Sequence, residues 1–224
     1  MASLAALLDD GLARLDLGQG VALGDKVDAA ARARLLDYMA LLQKWSAKSN
    51  LIAKKASDRD IVEHFLDSLA LLPLLTNSVS LTDVGSGAGF PGMVVAAVRP
   101  ELAVSLVEPR RKRAAFLRHV TRSLGLEHVV CHECRLQDIA AKATPGAYIV
   151  SRAVADIAGF LAMTHSWLAA GAQIVCMKSR KWPQELEQAQ ETIARLKLDG
   201  PKITNYRLPF SGAERVTLAF TVGQ

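Results

Sequence analysis

The strongest constraint on the fold is the segment LTDVGSGAGFPG, residues 81–92, where four glycines follow a short apolar run. Glycine costs conformational entropy on folding, so a cluster of glycines indicates a sharp backbone turn or the close approach of a ligand. The run LTDV predicts a strand, and Pro91 suits the first turn of a helix, where no N–H is required. The segment therefore predicts a strand–turn–helix unit whose helix start offers free N–H groups to a ligand.

The rest of the C-terminal two thirds alternates between two patterns. The runs LTDV, AVSLVE, HVVCHE, AYIVS and AQIVCMK are short and β-rich, and a helical pattern follows each of them. Such alternation predicts parallel strands joined by right-handed crossovers. The last two runs, KITNYRL and ERVTLAFTV, are separated only by PFSGA, so they predict a hairpin that adds an antiparallel strand at the sheet edge.

The N-terminal third is helical in pattern and ends at the polar joint TNSVS. Within it, Asp58 is the predicted cap of a helix that Pro73 ends. We therefore predict an α/β fold with a helical extension over residues 1–76. A doubly wound, mostly parallel seven-stranded sheet with an antiparallel C-terminal hairpin follows over residues 77–224.

The glycine segment and a later acid together predict a nucleoside cofactor. Glu108 ends the second strand, where a carboxylate can accept hydrogen bonds from a ribose diol. GAGFPG matches the GxGxxG pattern of dinucleotide sites, but DVGSGAG matches the acid-x-Gly-x-Gly-x-Gly pattern of S-adenosylmethionine (SAM) sites. An acid suits the sulfonium cation of SAM better than a pyrophosphate. We favour SAM, and a nicotinamide cofactor stays open. The predicted cofactor-binding residues from this pattern are Asp83, Gly85, Gly87, Gly89 and Glu108.

The methyl acceptor should lie where the fourth strand ends, at YIVSRAVAD. Enzymes that methylate exocyclic amines usually carry an acid or Asn before Pro-Pro-aromatic here, and cytosine-C5 enzymes use Pro-Cys; neither motif occurs. An acceptor with a free lone pair, such as guanine N7, needs no base, so catalysis can rest on alignment and exclusion of water. Arg152 is our candidate catalytic residue, in a positioning role, and we assign no general base.

The charge distribution indicates a polyanionic partner. The chain has 27 Lys and Arg against 22 Asp and Glu, a net charge of +5 and a pI near 9.2. One basic cluster lies along the helix after the second strand, with three arginines within about 40° of one another. A second cluster follows the fifth strand, and the alternative for both is a solvated surface. The predicted RNA-binding residues are Arg111, Arg118, Arg122, Lys178, Arg180 and Lys181.

Cysteine usage and the N-terminus indicate a cytoplasmic protein. Three cysteines argue against a disulfide framework, and no apolar run approaches the roughly 18–20 residues of a membrane span. Cys131 and Cys134 have C-x-x-C spacing, but no second such pair completes a zinc site, so we predict packing thiols and no metal. A monomer is the default expectation.

Several motifs together resemble the glucose-inhibited division protein B family, RsmG. They are NLIAKK, EHFLDSLALLP, DVGSGAGFPG, KRAAFLR, SRAVA and MKS, and the similarity extends over nearly the whole chain. The resemblance implies a class I SAM-dependent methyltransferase acting on N7 of a specific guanine in 16S rRNA of the small ribosomal subunit. It also implies cofactor contacts at Gly85, Phe90, Leu136, Gln137 and Arg152.

Two positions depart from the family pattern: Gln137 stands where relatives often carry an acid, and Ala147-Tyr148 replaces an Asp-Gly. Three alternatives stay open at this point. One is a SAM-dependent methyltransferase acting on a small molecule or a protein. Another is an RNA-binding assembly factor without turnover, and the third is a nicotinamide-dependent oxidoreductase.

Overall fold

The protein is built around one seven-stranded sheet. The computed structural model describes residues 3–17, 23–139, 147–167 and 172–222. The strand order in the sheet is β3-β2-β1-β4-β5-β7-β6. The strands are β1 (Ser80–Val84), β2 (Ala103–Val107), β3 (Val129–His132), β4 (Tyr148–Arg152), β5 (Gln173–Ser179), β6 (Leu198–Arg207) and β7 (Glu214–Val222).

Strands β1 to β5 are parallel, and helices connect successive strands. Strand β7 is antiparallel to both β5 and β6, so the C-terminal hairpin closes one side of the sheet with β6 at its edge. The predicted doubly wound sheet and antiparallel hairpin are thereby confirmed. The helices in the described ranges are α1 (Leu4–Arg14), α2 (Ala29–Ser46), α3 (Asp58–Leu69), α4 (Gly92–Val98), α5 (Arg111–Ser123), α6 (Leu136–Ile139), α7 (Ile157–Thr164), α8 (Trp182–Gln188) and α9 (Gln190–Arg195).

The strand order creates a crevice at the carboxyl ends of β1 and β4. The chain runs outward from β1 to β2 and β3, and then returns to β4 on the other side of β1. The connections that leave β1 and β4 therefore diverge, which is where ligands bind in open α/β sheets. The glycine segment follows β1, and SRA lies at the end of β4.

The helices before the sheet share an apolar core with it. Tyr38 of α2 and Phe65 of α3 are fully buried, and their rings lie 4.9 Å apart in an edge-on arrangement. Tyr38 also packs against Phe90 of the glycine segment and Phe116 of α5, with ring centroids 6.3 and 6.2 Å away. The apolar faces of these helices are therefore covered by the glycine segment and α5. The division at residues 76 and 77 remains a prediction.

The N-cap of α3 lies one residue earlier than the sequence predicted. Ser57, not Asp58, is the N-cap, because its side chain accepts from the Asp60 N–H while the Asp60 carboxylate accepts from the Ser57 N–H. This reciprocal pair satisfies two N–H groups that a helix start leaves free. In the part of the chain that the structure describes, no helix is long and apolar enough to cross a membrane.

Helix α3 also holds the turn of the C-terminal hairpin. The Glu63 carboxylate is buried, and its Oε1 accepts from the N–H groups of Phe210 and Ser211 at 2.8 and 2.6 Å. Both N–H groups lie in the connection between β6 and β7, so one side chain in the helical extension fixes a loop almost 150 residues later.

Replacing Glu63 by Ala should lower the free energy of unfolding by about 1–3 kcal/mol, because two half-buried N–H groups lose their acceptor. Urea unfolding followed by circular dichroism measures this loss. Glu63→Gln keeps an oxygen acceptor and should lose less. A Glu63→Ala variant as stable as Glu187→Ala, a change at an exposed helix position, would contradict the assigned role.

Candidate active site

The glycine segment forms a tight loop between β1 and α4. Gly85 and Gly87 have φ angles of +70° and +60°, a region that glycine adopts without strain. The N–H of Gly85 and that of Ser86 both donate to the Val107 carbonyl, at 2.8 and 3.1 Å, which ties the loop to the end of β2. A side chain at Gly85 would collide with Val154, which follows the end of β4.

The glycines differ in how closely other atoms surround the position that a Cβ would occupy. A Cβ at Gly87 would meet no atom closer than 3.7 Å, so this face of the loop opens to solvent. A Cβ at Gly89, where φ is +94°, would collide with the Tyr38 hydroxyl and with Met93. Gly87 is therefore the position where a ligand can approach the bare backbone, whereas Gly89 is required by packing against α2 and α4.

Asp83 lies beneath the loop at the end of β1. Its side chain is fully buried, and Oδ2 accepts from the Gly92 N–H at the start of α4 at 2.9 Å. Oδ1 is buried with no hydrogen-bond partner among the described residues. Burial raises the pKa of Asp83 to about 7, although the Gly92 N–H partly opposes that shift. The unpartnered oxygen can accept a hydrogen bond from, or lie near, a cationic ligand.

Glu108 hydrogen-bonds to the glycine loop from the end of β2. Its carboxylate is buried at the end of β2, where Oε2 accepts from the Gly87 N–H at 2.9 Å and Oε1 accepts from the Arg110 N–H at 2.8 Å. Each carboxylate oxygen has a second lone pair, so the group can still accept from the hydroxyls of a ribose. Glu108 is thus next to the open face of Gly87, and its contact with a ribose remains a prediction.

Arg152 is fixed from several directions at the end of β4. Its Nη1 donates to Asp67 Oδ2 at 2.9 Å and to the His64 carbonyl at 3.2 Å, and both partners belong to α3. The guanidinium lies over the Phe90 ring, 4.6 Å from its centroid. The Phe90 side chain is consequently buried beneath Arg152.

Asp67 is the shared partner of three side chains from the sheet. Besides Arg152, its Oδ1 accepts from the Tyr206 hydroxyl at 2.7 Å and lies 3.7 Å from Arg215 Nε. Asp67, Tyr206 and Arg215 were not predicted as site residues, because their partners come from distant parts of the chain. The available signal was the motif EHFLDSL, in which charged residues interrupt an apolar helix face at helical spacing.

A cavity of about 610 Å³ lies between α3 and the ends of β4 and β5. Its lining includes Arg152, Val154, His64 and Lys178. Burial, together with the nearby Arg152 charge, lowers the pKa of His64 to about 4, so the imidazole is neutral at physiological pH. Lys178 pairs with Glu185 at 2.8 Å and also donates to the Ala155 carbonyl.

The remaining predicted site residues lie on two sides of this region. Leu136 is buried beside β1 and β2, in the same apolar cluster as Val84 and Val107, and Gln137 is exposed next to it.

Arg118 pairs with Glu133 at 2.7 Å, and Lys178 is paired as described, so two of the six predicted RNA-binding cations have carboxylate partners. The exposed remainder consists of Arg111, Arg122, Arg180 and Lys181.

The C-x-x-C cysteines are free thiols in the described structure. The Cys131 Sγ lies 3.6 Å from the Thr121 hydroxyl. Over residues 3–17, 23–139, 147–167 and 172–222, no group of three or more His, Cys, Asp or Glu side chains is arranged to hold a metal ion.

Comparison with known proteins identifies the family. Residues 31–208 match the family model GidB, described as rRNA small subunit methyltransferase G. The chain belongs to this family. The resemblance found in the sequence motifs is therefore confirmed, and membership in a methyltransferase family decides against a nicotinamide-dependent oxidoreductase.

Two relatives match along most of their length. A ribosomal RNA small subunit methyltransferase G of Desulfotalea psychrophila is 47% identical over 197 residues, which are 87% of this chain and 91% of the relative. A protein of the same name from Myxococcus xanthus is 37% identical over 201 residues, which are 89% of this chain and 92% of the relative.

Solved structures of methyltransferases have the same fold. The O-methyltransferase TomG from Streptomyces achromogenes, solved with SAM, covers 85% of this chain and 90% of its own, with a TM-score of 0.57 and 17% identity. A Bacillus cereus O-methyltransferase, solved with SAH, covers 83% of this chain and 90% of its own, with a TM-score of 0.58 and 16% identity. These similarities confirm the class I methyltransferase fold.

The described residues fit SAM on three observations. The open face of Gly87 leaves room for a ligand against the backbone, the Asp83 carboxylate has an unpartnered buried oxygen, and Glu108 presents free lone pairs beside both. SAM carries a cation that suits the Asp83 oxygen and a ribose that suits the Glu108 carboxylate, and it can lie against the open face of Gly87.

The raised pKa of Asp83 predicts a pH-dependent stability. A folded-state value near 7, against an ordinary value of 3.8, means that the folded protein keeps this proton where the unfolded chain has lost it. The Asp83 contribution to stability is therefore full below about pH 4, declines as pH rises to about 7 and is constant above that. Asp83→Asn removes this decline. The free energy of unfolding of the variant, relative to that of the wild type, should therefore rise by about 2–3 kcal/mol from pH 5 to pH 8.

Urea unfolding at a series of pH values measures the gain. Asp37→Asn, at an exposed position of α2, is the matched control and should run parallel to the wild type. If the Asp83→Asn curve also runs parallel to the wild type, the carboxyl is not protonated in the folded protein at neutral pH.

Proposed function

We propose that this protein transfers the methyl group of SAM to N7 of a specific guanine in the 16S rRNA of the small ribosomal subunit. Support comes from the family to which the chain belongs and from its relatives, which are named ribosomal RNA small subunit methyltransferases. The observation that carries the choice of acceptor is the end of β4. There an anchored arginine occupies the position where a base or a nucleophile would be expected.

The cofactor would be held against the open face of Gly87. Glu108 is suited to the ribose, and the Asp83 carboxylate is suited to the cationic end of SAM. Leu136 and Gln137 begin α6 just after β3, where they can border the adenine. Bound SAM supplies a methyl group on a positively charged sulfur, which a neutral lone pair can accept without prior loss of a proton.

The cavity beside Arg152 is the proposed site of the guanine. Arg152 has committed Nη1 to Asp67 and the His64 carbonyl, so Nε and Nη2 remain as donors toward a substrate. A bond from Arg152 to N7 would block the lone pair that must accept the methyl group. A bond to O6, the neighbouring acceptor on that edge, leaves N7 free. We therefore assign Arg152 the role of orienting the guanine through O6.

Exposed cations on separate sides of the site are suited to an RNA partner. Arg111, Arg122, Arg180 and Lys181 are exposed, and Arg180 lies with Trp182 on the wall of a second cavity of about 430 Å³.

We also propose a monomer that acts in the cytoplasm, where ribosomal subunits are assembled. Gel filtration with light scattering tests the monomer, and cell fractionation tests the location.

The reaction is tested with labelled SAM and either naked 16S rRNA or small ribosomal subunits lacking the modification, followed by nucleoside mass spectrometry. We expect label in 7-methylguanosine and a transfer rate that falls steeply with rising KCl, because phosphate contacts release counterions. Label in another nucleoside would overturn the choice of N7. A salt-independent reaction with a small molecule or protein would overturn the RNA substrate, and SAM and RNA binding without transfer would indicate an assembly factor.

Gly87→Ala should weaken SAM binding by about tenfold or more in calorimetry, because the added methyl group occupies the space proposed for the cofactor. Gly125→Ala is its matched control: Gly125 has nearly the same φ, +63°, and equally open space, but it lies at the end of α5. Equal SAM affinities in the two variants would contradict the proposed cofactor position.

Arg152→Ala should reduce the single-turnover rate at saturating SAM and RNA by about 100-fold, because the substitution removes the side chain that we propose orients the guanine. Asp67 keeps Tyr206 and Arg215 as partners, so the variant can be checked for native folding before kinetics. Arg152→Lys retains the charge without the planar fork and should recover only part of the rate. A normal single-turnover rate in Arg152→Ala would refute the positioning role.

A further inference from the structure

A strongly basic groove lies on the other side of the glycine loop from the cavity of Arg152. It has a volume of about 830 Å³ and runs between residues 46–54, where α2 ends and continues toward α3, and residues 110–113 at the start of α5. Its lining contains no Asp or Glu. Six cationic residues line it: Lys48, Lys54, Arg110, Arg111, Lys112 and Arg113.

These six side chains have no carboxylate partner among the described residues. The ion pairs in the described ranges all lie elsewhere, and none of the six side chains takes part in one. Like charges held in one concave surface repel one another and raise the local concentration of anions. Such a groove is therefore suited to a ligand with several negative charges in a row.

The groove adjoins the proposed cofactor position. Arg113 Nη1 lies 3.7 Å from the point that a Cβ on Gly87 would occupy, and the Arg110 N–H donates to Glu108. SAM carries one carboxylate and no phosphate, so the cofactor leaves most of these cations without a counterion. These cations are therefore available to the second substrate or to another polyanion.

We propose that this groove binds the phosphate backbone of the RNA substrate at nucleotides that flank the methylated guanine. The proposal rests on the proposed function, and it adds a role for the helical extension, which supplies Lys48 and Lys54. The polar residues Ser46, Ser49 and Asn50 complete the wall, and they suit hydrated phosphates and sugar hydroxyls. An anionic membrane is disfavoured, because the groove is concave and presents no exposed large apolar side chain for insertion.

The test uses the double variant Lys48→Ala/Lys54→Ala. Both side chains are exposed and belong to the extension, away from the Gly87 and Glu108 backbone contacts, so SAM binding should be unchanged in calorimetry. The matched control is Arg195→Ala/Lys202→Ala, which removes the same charge from exposed positions on α9 and β6. The probe is 16S rRNA, with affinity measured over a range of KCl concentrations.

We expect the groove variant to bind 16S rRNA about tenfold more weakly at low salt than the control. The plot of log affinity against log KCl should be shallower by about 1.4–1.8, which corresponds to two lost phosphate contacts. The turnover number at saturating RNA should match the wild type, because these lysines are assigned to binding and not to orientation of the guanine.

The outcomes separate this proposal from the proposed function. If the wild type methylates 16S rRNA but the groove variant and the control have the same affinity and salt slope, the groove proposal is wrong. If the wild type fails to methylate RNA but the groove variant still loses affinity and slope, the groove binds RNA and the proposed function is wrong. If the groove variant binds 16S rRNA as well as the control does but binds vesicles containing anionic phospholipid more weakly, the groove contacts a membrane and the proposal is wrong.

Discussion

The partly buried ion pair between Arg152 and Asp67 is the interaction on which the site depends. It joins α3 to the end of β4 across 85 residues, and Tyr206 and Arg215 add the C-terminal hairpin to the same carboxylate. Burying such charges costs solvation free energy, so the pair is weak as a source of stability, but removal of one partner is strongly destabilising. Its contribution is orientation: one guanidinium, held by two atoms of α3 and by the Phe90 ring, faces the proposed guanine cavity.

The loop between β1 and α4 contains glycines required by packing and one whose face is open to the proposed cofactor. Gly85 and Gly89 lack side chains because Val154 and Tyr38 occupy the space, whereas the face of Gly87 is open. Asp83 below the loop and Glu108 beside it hold its N–H groups in place, and each carboxylate retains acceptor capacity. A preorganised backbone of this kind lets a cofactor bind without the entropy cost of ordering the loop.

The fold could be predicted from the sequence because its signals are local. The alternation of β-rich and helical runs is read within windows of a few residues, and the glycines and Glu108 follow strands at positions that the pattern locates. The missed residues owe their roles to long-range contacts: Asp67 meets Tyr206 at a separation of 139 residues, and Lys178 looks like a free cation until β5 and α8 bring Glu185 beside it. The six-cation groove was missed for the same reason, because its two walls are about sixty residues apart in the sequence, although each basic run was visible alone.

The contacts of α3 with the hairpin make an early helix of the chain depend on its last strands. Glu63 and Asp67 are buried acids whose N–H and O–H donors belong to Tyr206, Phe210 and Ser211. While a nascent chain lacks those residues, closing the core around α3 would bury two carboxylates without these partners, at a considerable cost in free energy. Full burial of these two acids therefore requires the hairpin, so a chain that lacks its last strands should leave the α3 carboxylates exposed to water.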